Sequence, residues 1–122
     1  MDRTVTLLGV PMDLGADRRG VDMGPSAIRY GGLADEIESL GLSCVDDGDL
    51  NVPRPEQREP DSGEFGDAAK YLTETRTVCE RLADRVARIR AEGQFPLVLG
   101  GDHSIGIGTA NGVADAPTGV LW

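Results

Sequence analysis

The stretch that most limits what this chain can become is Pro96-Leu97-Val98-Leu99-Gly100-Gly101-Asp102-His103-Ser104. Its apolar run is too short for a helix and is bounded by turn residues, which fits a buried strand of a parallel sheet. The two glycines that end it let the backbone turn sharply and approach a neighbour closely. They deliver an acid, the chain's only histidine and a hydroxyl to the carboxyl end of that strand, where ligand sites of open α/β sheets gather. Neutral imidazole is a good ligand for a first-row transition metal, so His103 is a candidate metal ligand. The plainer alternative is a hydrogen-bonded loop histidine.

The rest of the chain supplies the layers such a strand needs. Thr4 to Leu8 is a β-branched and apolar run closed by Gly9, and reads as a first strand. A glycine-punctuated loop from Val10 to Gly24 follows, long enough to be functional, at the same end of the sheet as Asp102 and His103. Pro25 suits the first position of a short helix. Gly31-Gly32 breaks it before a second helix, Leu33 to Leu40, with Leu33, Ile37 and Leu40 on one face. Leu42 to Val45 reads as a second strand and Asp46-Asp47-Gly48-Asp49 as an acidic turn, lacking the ligand spacing of a calcium loop.

Residues 51–67 are rich in proline, glycine and acids and form a connector within one domain spanning 1–122. A long amphipathic helix is predicted from about Asp67 to Glu92. Leu72, Val78, Cys79, Leu82, Val86 and Ile89 lie inside it, and Arg81, Arg85, Arg88 and Arg90 outside among acids. A glycine-rich helix begins at Ile105; its Gly106 and Gly108 match a dinucleotide fingerprint only in part. Gly119 to Trp122 starts a fourth strand. The alternation of strands and helices predicts an α/β fold, a three-layer αβα arrangement around a parallel sheet, cut off after the fourth strand begins.

Charge narrows the partners. The net charge is −9, and eleven of the twelve basic residues are arginine, Lys70 being the exception. Such a surface disfavours nucleic acid and anionic membranes, and suits solubility or a salt-rich cytoplasm. Cys44 and Cys79 sit in apolar patterns without disulfide or metal spacing, as expected of free thiols in a reducing compartment. Neither a signal peptide nor a membrane-spanning run is visible, so the chain reads as cytoplasmic.

Three stretches together resemble the N-terminal part of a bacterial-type arginase of the ureohydrolase (arginase/agmatinase) family: Leu8 to Gly15, Arg18 to Tyr30, and Phe95 to Ile105. Arg19-Gly20-Val21-Asp22-Met23-Gly24-Pro25 favours arginase over agmatinase. The resemblance implies an arginase/deacetylase-like fold and a binuclear Mn²⁺ centre whose bridging hydroxide hydrolyses L-arginine to L-ornithine and urea. It implies a metal-ligand role for His103, a supporting role for Asp102 and Ser104, and a turn shaped by Gly100 and Gly101. It further implies a homo-oligomer when complete. The family's later Asp-Ala-His-x-Asp and Asp-x-Asp motifs are absent from the 122 residues. The chain is therefore expected to be the front portion of such an enzyme, with no catalytic residue of its own and inactive by itself. The alternatives are an agmatinase-type or other ureohydrolase, and a non-catalytic remnant or binding protein.

Overall fold

Alternation along the first strand sets the layering. In the computed structural model, which describes residues 3–15, 19–54, 71–115 and 117–121, β1 runs Thr4–Val10. Val5 and Leu7 pack on one face of the sheet with Ile37, whereas Leu8 and Val10 pack on the other with Val78, Leu82, Val86 and Ile89. Side chains alternate across a strand, so a central strand needs apolar residues at both parities. Both faces are covered, and the three-layer arrangement follows.

A short 3-10 turn at Val21–Met23 leads into α1 (Gly24–Tyr30), then α2 (Leu33–Ser39) and β2 (Ser43–Asp49). The chain continues through α3 (Leu72–Ala91), β3 (Phe95–Gly100) and α4 (Ile105–Val113). The sheet is parallel with order β2-β1-β3, β1 pairing Thr4 with Ser43 on one side and Val5 with Phe95 on the other. The crossover from β1 to β2 and the crossover from β2 to β3 therefore travel in opposite directions across the sheet. With the hand of both fixed by strand twist, their helices fall on opposite faces. The two apolar clusters, one under α2 and one under α3, match this.

Several expectations need correction. The acidic run is no turn between elements: β2 extends through Asp49, and its register on β1 slips between Leu7 and Gly9. Acids are tolerated there because β2 is an edge strand whose Asp46 and Asp47 reach arginines instead of the core. Arg85 is correspondingly not an outer-surface charge but is half-buried against Asp47. α2 stops at Ser39, leaving Leu40 exposed, and Leu72 begins α3 exposed. Gly24, not Pro25, is the first residue of α1. The predicted fourth strand does not form: residues 117–121 carry no strand, and Val120 and Leu121 are exposed. A strand exists only by pairing, and this segment pairs with no strand among the described residues. Trp122, residues 55–67 of the connector and the expected start of the long helix lie outside the described residues.

Candidate functional site

The carboxyl ends of β1 and β3 are neighbours, Val10 pairing with Gly100. From there the chain leaves β1 toward α1 and leaves β3 toward α4. Such a divergence is a topological switch point, where open α/β sheets form their binding crevice. Here the crevice is bridged. The Asp102 N–H donates to the Met12 carbonyl at 2.8 Å, and the Gly15 N–H donates to Asp102 Oδ2 at 2.8 Å. Asp102 Oδ1 accepts from the Ser104 N–H at 2.9 Å and from the Ser104 hydroxyl at 2.5 Å.

Glycine is needed where these segments touch. A Cβ on Gly101, whose φ is +78°, would lie 2.6 Å from the Met12 nitrogen and the Val10 oxygen. A Cβ on Gly24 would collide with the Gly100 carbonyl, so the start of α1 closes over the end of β3. The Gly100–Gly101 peptide is cis.

An open cleft lies between β3, the turn after it and the start of α4. It has a volume of about 410 Å³, and its lining includes Val98, Gly101, Asp102, His103, Ile105 and Thr109. His103 is exposed at its mouth. All five residues singled out in the sequence are thus brought together: Gly100 and Gly101 form the turn, Asp102 bonds across it, Ser104 caps that bond, and His103 faces the cleft.

Two contributors were not found by sequence reasoning. Asp13, only 3% exposed, accepts the Gly20 N–H at 3.0 Å through Oδ2 and pairs with Arg19, while its Oδ1 is buried without a hydrogen-bond partner among the described residues. Gly15 supplies the amide held by Asp102. The signal for Asp13 was a carboxylate lodged between two large apolar residues, Met12 and Leu14, both fully buried. A charge in such a run needs an acceptor or donor brought from outside it. Nearby, Cys79 donates its thiol to the Ser104 carbonyl at 3.4 Å. Burial foremost pushes this thiol's pKa up; a backbone hydrogen bond at Gly108 pulls it back, and the Asp102 charge pushes it up again. The Cys79 thiol is therefore a packing group, not a nucleophile.

The sequence profile of the arginase family matches residues 3–122. The chain is 50% identical over 114 residues to an arginase of Brevibacillus brevis, covering 93% of this chain and 37% of that protein. It is 44% identical over 124 residues to an arginase of Bacillus subtilis, covering 100% of this chain and 40% of that one. The chain belongs to the arginase family. Its backbone superposes on the arginase of Bacillus caldovelox with a TM-score of 0.82 at 45% identity, over 93% of this chain and 37% of that structure. An agmatine ureohydrolase of Thermoplasma volcanium, at 21% identity and a TM-score of 0.63, shares the fold. The chain thus spans well under half the length of the arginases it matches.

Arginase-family membership brings a metal centre into question, and the donors present are few. Among the described residues no group of three or more His, Cys, Asp and Glu side chains could hold an ion. Both Asp102 oxygens are already taken by N–H and O–H donors. His103 is exposed and lines the cleft. The described residues therefore offer at this turn one candidate ligand, not a complete centre, and no reaction step follows from them alone. No helix among them is long and apolar enough to cross a membrane.

Proposed function

We propose that this chain is the N-terminal portion of a manganese-dependent arginase, which hydrolyses L-arginine to L-ornithine and urea, and that His103 supplies one of its metal ligands. The observation that carries this reading is the exposed His103 imidazole at a cleft beyond the carboxyl end of β3, in a chain of the arginase family. Imidazole favours Mn²⁺ over Mg²⁺ among oxygen-rich ligands, and a pair of such ions would supply a hydroxide at neutral pH. What these residues themselves do is present and hold the ligand: Gly100 and Gly101 shape the turn, and Asp102 and Ser104 fix it. The net charge of −9 suits a cationic guanidinium substrate and a divalent ion, and disfavours nucleic acid and anionic membranes as partners. Two free cysteines suit a reducing cytoplasm. The complete enzyme is proposed to be a homo-oligomer.

One imidazole does not activate water, so the 122 residues by themselves are expected to release no urea. Joined to the C-terminal portion of the Bacillus subtilis arginase, they should release urea with Mn²⁺. In that chimera His103→Ala should lower metal affinity or activity by about 10- to 100-fold or more, the range seen even for groups that only support a ligand. A chimera equally active with alanine at position 103 would sink the ligand assignment. Urea release by the isolated chain would sink its inactivity.

A further inference from the structure

His103 lies between two pinned residues, and the Asp102 carboxylate takes part in holding both. Asp102 is tied to the β1 loop by its own N–H on the Met12 carbonyl and by its Oδ2 on the Gly15 amide, at 2.8 Å each. Its Oδ1 holds Ser104 twice, at 2.9 Å and 2.5 Å. All three groups aimed at the carboxylate are donors, a pattern an ionised acid satisfies and a primary amide does not, since the amide turns a donor of its own toward one of them. The fit is close on the loop side as well, where a Cβ on Gly15 would stand 3.3 Å from both Asp102 oxygens. Beyond Gly15 the same loop is tied down a second time, by Asp13 on the Gly20 amide. The turn bearing the imidazole and the loop after β1 are thus fastened to each other and not merely adjacent.

We infer that Asp102 is a positioning residue for His103: its carboxylate fastens the histidine turn to the loop after β1 at Gly15, so that the loop sets the direction of the imidazole at the cleft. This rests on His103 being the functional group of the site, as proposed above. The simpler role for Asp102, an acid accepting N–H bonds at the start of α4, would leave the imidazole indifferent to the loop. The two roles differ in what happens when only the Gly15 end is disturbed.

The experiment uses the full 122-residue chain without metal, where the single histidine makes ring signals unambiguous. Carbon relaxation reports the order of the His103 ring, and amide exchange reports Gly15 and Ser104. In Asp102→Asn the ring order parameter should fall below about 0.6, the range of flexible groups. Exchange at Gly15 should quicken at least about tenfold, as expected for the loss of a charge-assisted hydrogen bond. Gly15→Ala keeps Asp102 and its bonds to Ser104 but crowds the carboxylate by a few tenths of an ångström; where exchange at residue 15 shows its amide released, the ring should loosen in the same direction. Protection along α3 should persist in both variants. A ring that stays ordered in Gly15→Ala with that amide released overturns the inference, whatever Asp102→Asn does. Should Asp102→Asn lose its α3 protection, Gly15→Ala decides alone. The Mn²⁺-loaded chimera separates the two proposals: a ring loosened by Gly15→Ala, in a chimera whose metal affinity and activity His103→Ala leaves unchanged, keeps the positioning role and sinks the metal-ligand assignment.

Discussion

Arg29 reaches across the end of β2 with its whole guanidinium. Its Nε and one terminal nitrogen take the two oxygens of Asp46 at 2.9 Å each, its other terminal nitrogen takes Asp49 at 2.5 Å, and the Gly48 carbonyl accepts at 3.1 Å. Gly9 of β1 lacks a side chain where Asp49 lies over the strand, and any Cβ there would collide with that carboxylate. Burial alone would raise the pKa of Asp46, but the Gly48 N–H and Arg29 outweigh it and hold the carboxyl below its ordinary range. A depressed acid stabilises the folded chain above its unfolded value, about 3.9, and that contribution fades as the pH falls through the folded value. Asp46 is partly exposed, so the contribution at pH 7 is below about 1 kcal/mol. Urea midpoints of the wild-type chain and Asp46→Asn should differ at pH 7 and draw together as the pH falls through the folded value. An unchanged gap across that range would remove Asp46 from the acid sensitivity.

At the scale of elements, the α3–α4 contact is made by glycines. A Cβ on Gly108 would sit 2.7 Å from the Cys79 carbonyl, and one on Gly112 would sit 2.6 Å from the Val86 side chain. Gly112→Ala adds a methyl where neither helix has room, and overpacking of this kind costs about 1–3 kcal/mol. Its denaturation midpoint should fall accordingly, against an intrinsic helix-propensity gain of about 1 kcal/mol. A more stable variant would mean that α4 slides freely on α3.

The sequence reading succeeded where one element carries its own pattern. The period of Val78, Cys79, Leu82, Val86 and Ile89 marks the buried face of α3, and those residues are buried. The turn from Gly100 to Ser104 was legible because glycine, acid and imidazole are adjacent in the chain. β2 was read too short because acids argue against a strand, and only Arg29 and Arg85, supplied by two other elements, make them acceptable. Gly15 and Asp13 were missed for the related reason that their partners come from elsewhere: nothing near Gly15 in sequence announces a carboxylate 87 residues away. The fourth strand belongs here too, since Gly119 to Leu121 has the composition of a strand yet pairs with none among the described residues.

Across the whole molecule the two edges of the sheet differ. β2 presents Asp46, Asp47 and Asp49, charges that deter edge-to-edge pairing. β3 is apolar along its length, and Phe95 at its start is 58% exposed. No strand among the described residues covers its outer side. Self-association of the chain is therefore expected to proceed through β3, as an uncovered apolar edge does. Light scattering across a concentration series should show it, and Phe95→Lys should suppress it. Association unaffected by that lysine, but reduced by a charge on the α3–α4 surface, would move the contact to the helices.

The pairing of β1 with β3 also sets an order of events in folding. Val5 meets Phe95 only after nearly the whole chain between them has been closed into a loop, and the entropy of that closure is spent before any contact rewards it. β1, α2 and β2 lie closer together in sequence and can associate without that closure. The histidine turn, fastened to Gly15 across the same span, belongs to the late-forming half of the molecule. During synthesis, a ribosome that has already released β1 and β2 has not yet made the residue on which the proposed chemistry depends.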